Sequence, residues 1–280
     1  MTIKPMLAHK FDENRVDWSK EHWIQPKLDG VRCLFTKDGA FSRTGKQFMN
    51  VKHIAKMLEH FFKQNPNIIL DGELYNHDLR NDFEKIISLV RKQKPTDEDR
   101  SEAHEMIQYH VYDYTEYDIG VGFPYKERLD NLTCSNLYCW SIQYVETRRV
   151  KDMKQAKDFH TRKLAKGYEG SILRSNTPYK HGRSFGLMKF KDFSDDEGTI
   201  VGYEVGKGKR TGTLGKFLMM DDQGVRFGCP PGKGYTYKDL ADILTNVQSY
   251  IGQRATFTYF ERTKAGSYRH PHFKCIRNYE

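Results

Sequence analysis

The 280-residue sequence lacks the marks of several specialised classes of protein. Its five cysteines are odd in number and form no Cys-x-x-Cys pair, so we expect buried, reduced thiols and no disulfide framework or structural zinc site. No apolar run approaches the ~18 residues of a membrane span, and the first residues lack the apolar core of a signal peptide. Internal repeats and low-complexity tracts are also missing. These absences predict a soluble, intracellular protein.

Basic residues are in excess but are not concentrated in one place. The chain carries 46 Lys and Arg against 37 Asp and Glu, a net charge of +9, with about +7 in residues 1–191 and about +2 in residues 192–280. No long basic tail is present. A spread excess of this kind favours a polyanionic partner that is contacted along an extended surface.

The sequence pattern changes near residue 192. Before this point, strand patterns alternate with helical ones, such as the amphipathic segment 51–63. The segment 192–198 is polar, acidic and turn-rich, which predicts a boundary. After it we expect one helix near 238–248 and short strands near 199–205, 213–220, 224–228, 254–261 and 272–278. The pattern therefore predicts two domains, residues 1–191 and residues 192–280, the second an oligonucleotide-binding (OB) barrel.

Residues 25–32 contain the most informative lysine of the chain. Lys27 lies between a predicted strand and the pair Asp29-Gly30, and Arg32 follows closely. Because Asp-Gly is a common hairpin turn, Lys27 is predicted at the mouth of a buried hairpin. A lysine amine attacks only when it is neutral, and desolvation or neighbouring cations lower its pKa toward working pH. The alternative is a solvated lysine beside an ordinary turn.

Two glutamates are predicted at strand ends. Glu73 follows the short apolar run 68–70, and Glu169 begins the strand pattern that follows the predicted helix 151–166. Carboxylates delivered at strand ends are well placed for chemistry. Taken singly, each is more often a surface carboxylate.

In two further predicted strands, the alternation of side chains predicts which residues share a face. In residues 187–191, Lys189 and Lys191 fall on one face, although such a pair is more often a solvated strand face. In residues 106–114, Tyr112 is predicted to line one face. The opposite face is expected to carry Ile107, Tyr109, Val111 and Asp113.

Six motifs follow one another along the chain. They are Lys27-Leu28-Asp29-Gly30-Val31-Arg32, Ser42-Arg43-Thr44-Gly45, Leu70-Asp71-Gly72-Glu73-Leu74, His110-Val111-Tyr112-Asp113, Tyr168-Glu169-Gly170-Ser171-Ile172-Leu173-Arg174 and Leu187-Met188-Lys189-Phe190-Lys191. In this order the chain resembles the covalent nucleotidyltransferases, specifically the small ATP-dependent DNA ligases of bacteriophage, viral and bacterial minimal type. The resemblance implies an α+β fold: a nucleotidyltransferase (adenylation) domain of antiparallel sheets with flanking helices, followed by a small all-β OB-fold barrel.

The resemblance also implies a reaction in three steps. Lys27 would attack the α-phosphate of ATP, release pyrophosphate and carry AMP as a phosphoramidate. The AMP would pass to the 5′-phosphate of a nicked double-stranded DNA, and the neighbouring 3′-hydroxyl would then displace it. Displacement at phosphorus depends on positioning and charge neutralisation, for which carboxylate-bound Mg²⁺ (or Mn²⁺) is suited.

By the same resemblance, individual residues receive roles. The catalytic set is Lys27, Asp29, Glu73, Glu169, Lys189 and Lys191, and the metal ligands are Glu169, Glu73 and Asp29. The nucleotide would be bound by Gln25, Pro26, Lys27, Leu28, Arg32, Glu73, Tyr112, Glu169, Lys189, Lys191, Arg269 and Arg277. In this set Tyr112 would stack on adenine, and Arg32 and Glu73 would contact the ribose. DNA would be bound by Arg43, Lys46, Lys207, Lys209 and Arg210. The alternatives are a core tyrosine at 112 and a solvated hairpin at 207–212.

Two departures from the family pattern leave alternatives open. Gln25 stands where the family often has a base-contacting acid or threonine, and residues 278–280 replace the usual charged ending. The competing interpretations are an mRNA capping guanylyltransferase, an RNA ligase, and a non-catalytic nucleic-acid-binding module with an eroded fold. Residues 42–45 and the Arg-x-Pro of residues 269–271 favour a DNA ligase.

The resemblance also sets expectations about the protein's surroundings. It begins close to residue 1 and leaves no room for the nicotinamide-binding domain of NAD-dependent ligases, so ATP is the expected nucleotide. We expect a monomer that acts on nicked double-stranded DNA and does not bind a membrane. Its expected location is the cytoplasm of a bacterium or a phage-infected cell.

Overall fold

The chain forms two compact units, residues 1–191 and residues 192–280. The computed structural model describes residues 4–117, 122–190, 194–232, 234–263 and 266–277. Within these ranges no helix is long and apolar enough to cross a membrane. The predicted catalytic residue Lys191 lies outside the described residues.

The first unit combines two sheets with helices packed against them. Its strands are β1 (Met6–Lys10), β2 (His22–Lys27), β3 (Val31–Thr36), β4 (Gly39–Phe41), β5 (Ile68–Tyr75), β6 (Gln108–Glu116), β7 (Ile142–Tyr144), β8 (Arg148–Val150), β9 (Gly170–Ser175) and β10 (Gly182–Phe190). Its α-helices are α1 (Lys52–Gln64), α2 (Phe83–Val90), α3 (Asp97–Met106), α4 (Tyr125–Cys134) and α5 (Met153–Ala165).

The two sheets have separate cores. The first sheet has the strand order β1-β10-β9-β2-β8, and the second has the order β4-β3-β5-β6-β7. Ile24, Leu173 and Met188 lie opposite one another on neighbouring strands of the first sheet and pack against Phe159 of α5. The second sheet packs against α1 and α2 through a larger apolar cluster that includes Ile54. Each sheet therefore has one face in a core of its own, which leaves the other face for polar contacts between the sheets.

The chain passes from the first sheet to the second directly after Lys27, so the predicted hairpin at this point is wrong. β2 pairs with β8 and β9, whereas β3 pairs with β4 and β5. Gly30 does not have the positive φ that a type I′ hairpin turn requires. A Cβ atom on Gly30 would lie 2.4 Å from the carbonyl oxygen of Leu74 on β5. Glycine is needed because the crossing segment runs against β5, and this crossing places Lys27 where the two sheets meet.

A bulge in β6 changes the predicted alternation at Tyr112. Asp113 lies opposite Asp71 of β5, and Val111 lies opposite Gly72, so Tyr112 is the extra residue of a β-bulge. Val111 and Tyr114 both belong to the core of the second sheet, whereas Asp113 hydrogen-bonds to two arginines. The expected common face of Val111 and Asp113 is therefore wrong, because the bulge shifts the alternation by one residue.

The described residues of the second unit form a single main sheet, one α-helix and a small hairpin. Its elements are β11 (Ser194–Val205), β12 (Leu214–Met220), β13 (Arg226–Cys229), α6 (Tyr237–Thr245), β14 (Arg254–Tyr259), β15 (Glu261–Arg262), β16 (Tyr268–Arg269) and β17 (His272–Ile276). The main sheet has the order β13-β12-β11-β14-β17, around a core of Phe217, Phe257 and Phe273.

Two details of the second unit differ from the prediction. The acidic segment that was expected to be turn-rich begins β11, because Ser194–Gly198 pair with β14. The ladders between the described strands do not close into a barrel. A parallel bridge between Pro231 and Phe273 links the segment after β13 to β17. The unit is therefore OB-like and open, with α6 packed on its core through Leu240 and Ile243.

Candidate active site

Lys27 is the last residue of β2 and contacts the side chain of Glu169. Glu169 directly precedes β9, and its backbone amide donates to the carbonyl oxygen of Lys27 at 3.2 Å. The Lys27 Nζ donates to the Glu169 Oε2. The lysine side chain is 24% exposed and the glutamate side chain is 5% exposed. An accessible amine is thus held by a buried carboxylate, and that carboxylate belongs to the catalytic set that the resemblance implied.

Lys189 lies on the same sheet face as Lys27. In the first sheet, Lys189 of β10 lies opposite Ile172 of β9, which lies opposite Gln25 of β2. Directly opposed residues of an antiparallel pair share a face, and residues two apart on one strand do so as well. Lys189, Gln25 and Lys27 therefore project from one face. The second predicted lysine of this strand, Lys191, lies outside the described residues.

Glu73 brings a second carboxylate to the same place from the second sheet. It lies on β5, opposite Arg32 of β3, and is half-buried. Burial raises the pKa of Glu73 to about 8; the nearby charges of Lys27 and Arg32 oppose this rise, and that of Glu169 adds to it. Three predicted catalytic side chains, Lys27, Glu73 and Glu169, are therefore within electrostatic reach of one another.

The raised pKa of Glu73 predicts a pH dependence of stability. Its value of about 8 in the folded protein lies above the ordinary 4.5, so the folded state binds this proton more tightly than the unfolded state. The resulting stabilisation is fully present below about pH 4.5 and is lost as the pH rises through about 8. We expect Glu73→Gln to lose less stability over this range than the wild type, as measured by urea unfolding at a series of pH values.

A control for this experiment is Glu59→Gln, which alters an exposed glutamate that pairs with Lys63 on α1. The lysine lowers the pKa of Glu59, so this variant should keep the wild-type loss between about pH 5 and 8. Identical pH profiles for the wild type and Glu73→Gln would show that Glu73 does not titrate in this range.

Arg32 is anchored by a buried aspartate that the sequence reasoning did not assign. Its Nε and Nη2 donate to the two carboxylate oxygens of Asp71 at 2.9 and 2.5 Å. The hydroxyl of Tyr179 donates to the same carboxylate at 2.6 Å, and Asp71 is fully buried. The Arg32 guanidinium also lies 5.7 Å from the ring centre of Tyr112. Arg32 is thus fixed beside the residue that was expected to stack on the base.

A second buried aspartate joins the two sheets. Asp113 accepts from the Nε of Arg128 at 2.7 Å, from its Nη2 at 3.1 Å, and from the Nη1 of Arg174 at 2.7 Å. Both arginines and the aspartate are at most 4% exposed. Arg128 also donates to the carbonyl oxygen of Thr177 at 3.0 Å. Asp71 and Asp113 therefore form three ion pairs between elements of the first unit.

The other predicted residues of the first motif occupy different environments. Gln25 is 2% exposed, and its amide is hydrogen-bonded within the protein. Pro26 alternates to the opposite face of β2, and Leu28 is buried in the core of the second sheet. Asp29 lies on the crossing segment, where its charge raises the pKa of Tyr75 after the larger effects of burial and Tyr168.

The predicted three-carboxylate metal site is not assembled. No group of three His, Cys, Asp or Glu side chains that could hold a metal ion occurs among the described residues. Glu73 and Glu169 remain as a pair of candidate ligands.

The predicted DNA-contacting residues lie on exposed loops. Arg43 and Lys46 lie in the turn between β4 and α1, which the Ser42 amide closes by donating to the Lys46 carbonyl at 2.8 Å. Lys207, Lys209 and Arg210 lie in the connection between β11 and β12. None of the five forms an ion pair with any other residue in the described ranges. Their charges are therefore available to an external anion.

The two C-terminal arginines have partners within the second unit. The Nε of Arg277 lies 2.9 Å from the Oε1 of Glu197. Arg269 lies on β16, with its guanidinium 5.9 Å from the ring centre of Phe260.

Sequence reasoning missed Asp71, Asp113, Arg128, Arg174 and Tyr179. Asp71, Asp113 and Arg174 stand inside the quoted motifs, and a charged residue within an apolar strand is a usable signal because burial requires a partner. Arg128 and Tyr179 lie outside every motif, and nothing in their local pattern distinguishes them from surface residues.

Residues 5–191 match the ATP dependent DNA ligase domain family, and residues 205–277 match the DNA ligase OB-like domain family. The chain belongs to the ATP-dependent DNA ligase family. The membership confirms the resemblance drawn from the motifs and the predicted combination of a nucleotidyltransferase domain with an OB-like domain.

Individual ligases show the extent of the similarity. The DNA ligase of African swine fever virus (isolate Pig/Kenya/KEN-50/1950) is 30% identical over 232 residues, which cover 76% of this chain and 52% of the viral protein. The DNA ligase of Haemophilus influenzae is 26% identical over 223 residues, which cover 78% of this chain and 75% of the bacterial protein. A solved Lig E DNA ligase superposes with a TM-score of 0.79 at 21% identity, covering 99% of this chain and all of that one. The chain thus spans about half the length of the viral relative and shares its whole fold with the Lig E ligase.

Proposed function

We propose that this chain is an ATP-dependent DNA ligase that seals nicks between a 3′-hydroxyl and a 5′-phosphate in duplex DNA. The observation that carries the proposal is the position of Lys27. Its amine is accessible at the junction of two sheets, bonded to Glu169 and within reach of Glu73. Lys189 projects from the same sheet face and supplies a cation for phosphate oxygens.

The proposed reaction consists of three displacements at phosphorus. First, the Lys27 Nζ loses a proton and attacks the α-phosphorus of ATP; an N–P bond forms, the bond to pyrophosphate breaks, and the nitrogen releases a second proton to solvent to give the neutral phosphoramidate. An ammonium group has no free electron pair, and the Glu169 Oε2 is placed to accept the proton. Second, an oxygen of the DNA 5′-phosphate attacks the same phosphorus, and the N–P bond breaks. Third, the 3′-hydroxyl attacks the 5′-phosphate, loses its proton, and AMP leaves.

A divalent cation fits the residues that are present. Magnesium is commonly held by one or two carboxylates together with substrate phosphates, and Glu73 and Glu169 form such a pair of oxygen donors. When bound, the cation would neutralise charge on the triphosphate. Below about pH 8 the proton on Glu73 would have to be displaced before that carboxylate could bind the cation. We assign Glu73 and Glu169 to this role and leave Asp29 out of it.

Labelled nucleotides test the proposal directly. The protein is incubated with Mg²⁺ and α-phosphate-labelled ATP, α-phosphate-labelled GTP or adenylate-labelled NAD, and is then run on a denaturing gel. Covalent label from ATP alone is the expected result. Label from GTP would favour a capping guanylyltransferase, label from NAD would place the chain with NAD-dependent ligases, and no label would favour a non-catalytic binding module.

The loop 207–210 is expected to bind the DNA backbone. Replacing Lys207, Lys209 and Arg210 with alanine removes three exposed cations that have no ion-pair partner among the described residues. Each lost phosphate contact lowers the slope of log affinity against log salt by about 0.9, so the slope should fall by roughly 2 to 3. The measurement is equilibrium binding to a nicked duplex at several salt concentrations.

A matched control replaces Lys52, Lys56 and Lys63, three exposed lysines on α1, with alanine. This variant changes the net charge by the same amount as the 207–210 variant. A similar decrease in the slope of log affinity against log salt would therefore show that the slope responds to overall charge and not to contacts of the loop. An unchanged slope in the 207–210 variant would remove this loop from the DNA interface.

A further inference from the structure

Arg174 contacts most of the residues expected to surround the nucleobase. It lies on β9, opposite Trp23 of β2, and is 4% exposed. Its Nε donates to the Oε1 of Gln25 at 2.7 Å, and its Nη1 donates to Asp113 at 2.7 Å. Its guanidinium lies 5.2 Å from the ring centre of Tyr112 and 4.9 Å from that of Tyr125. One buried cation therefore links the strand of Lys27 to the bulge that carries Tyr112.

The orientation of the Gln25 amide follows from the groups around it. Arg174 can only donate, so the amide oxygen must face it. The Gln25 Nε2 then donates to the hydroxyls of Tyr125 at 2.9 Å and Thr147 at 2.8 Å. The Thr147 hydroxyl in turn donates to the carbonyl oxygen of Val145 at 2.9 Å. Both N–H groups of Gln25 are thus used within the protein, and neither is left to donate to a base.

Tyr112 depends on the same arginine. As the extra residue of a bulge it has no partner residue on β5, so the β5 pairing does not fix its ring. Two guanidinium groups, from Arg174 and Arg32, lie within 6 Å of the ring centre. Arg174 is in turn fixed by Asp113, the residue that follows Tyr112, and Asp113 is also bound by Arg128.

We propose that Arg174 is a positioning residue of the nucleotide site, which orients Tyr112 and Gln25 together, and that Gln25 acts within this network and does not read the base. This inference rests on the proposed function, because it assumes that the base stacks on Tyr112. A lysine at position 174 keeps the charge, but its single amine cannot reproduce the planar fork that contacts Gln25, Asp113 and the Tyr112 ring. Nucleotide affinity should therefore depend on Arg174, whereas the rate of the chemical step should not.

The test compares Arg174→Lys with Arg149→Lys. Arg149 of β8 also lies opposite Trp23, but its side chain is 58% exposed and pairs with Glu21. Binding of α,β-methylene-ATP, which cannot donate AMP, is measured by calorimetry, and KM and kcat of self-adenylation are measured with ATP. We expect the dissociation constant and KM to rise roughly 10- to 100-fold in Arg174→Lys with kcat within about 3-fold. Arg149→Lys should match the wild type, and thermal unfolding checks that both variants are folded.

Gln25→Met separates the two halves of the proposal without touching the Asp113 contact. It should weaken both ATP and GTP binding and leave their ratio within about 3-fold. A ratio that changes more than about tenfold would mean that Gln25 reads the base, and wild-type affinity in folded Arg174→Lys would overturn the positioning role. A kcat that falls as far as KM rises would also overturn it. Binding of the analogue without any covalent label from ATP would refute the proposed ligase activity, whereas the effect of Arg174→Lys on the affinity for the analogue would still test the positioning role.

Discussion

Lys27→Ala is expected to abolish covalent labelling by ATP and nick sealing, by roughly 10⁴-fold or more, because it removes the attacking atom itself. Lys27→Arg should fail equally, although it keeps a cation beside Glu169, since a guanidinium does not lose its proton in a protein. The measurement is the fraction of protein that carries labelled AMP on a denaturing gel. Affinity for α,β-methylene-ATP should change far less than labelling in both variants.

The control for this prediction is Lys63→Ala, which removes an exposed lysine that pairs with Glu59 on α1. It should label like the wild type, because a surface ion pair of this kind contributes little. If the Lys27→Ala protein still acquires label, the attacking residue is another one.

Asp113→Ala is expected to destabilise the first unit by about 3–5 kcal/mol, because it leaves two buried arginines without their carboxylate. The loss arises from the two uncompensated charges more than from the bonds that disappear. Urea unfolding followed by circular dichroism measures it.

Asp130→Ala provides the matched comparison for Asp113→Ala. Asp130 pairs with Lys126 on the exposed side of α4, the helix that also carries Arg128. Its removal should change the unfolding free energy by less than about 1 kcal/mol. Equal effects of the two substitutions would show that the Asp113 contacts contribute nothing beyond a surface pair.

Local patterns place Lys27, Glu73 and Glu169 only at or near the ends of short strands, and the family resemblance is what predicts that they meet in one site. The motif order then identified the family, which the domain matches confirm. The roles of these residues in the chemistry remain predictions.

Local sequence patterns do not identify the ion-pair partner of a buried charged residue. Arg174 and Asp113 are 61 positions apart and lie on different sheets, so their pairing is decided by how the two sheets pack. Arg32 and Asp71 are 39 positions apart on neighbouring strands of the second sheet, so their pairing is decided by the register of β3 against β5. The turn at Asp29-Gly30 was misread for a similar reason. The same dipeptide that closes a hairpin can also carry the chain between sheets, and the deciding contact is made with Leu74. The bulge at Tyr112 depends on the register of β5 against β6, which no single strand reveals.

A chase of the labelled protein tests whether AMP bound to Lys27 is passed to a nick. Protein that carries label from ATP is freed of nucleotide and given Mg²⁺ with a nicked duplex, a nicked duplex lacking the 5′-phosphate, or single-stranded DNA. We predict that label leaves the protein only with the 5′-phosphorylated nick, appears briefly on that 5′ end, and is released as AMP as the strand is sealed. Label that stays on the protein, or that leaves equally with all three DNAs, would contradict it.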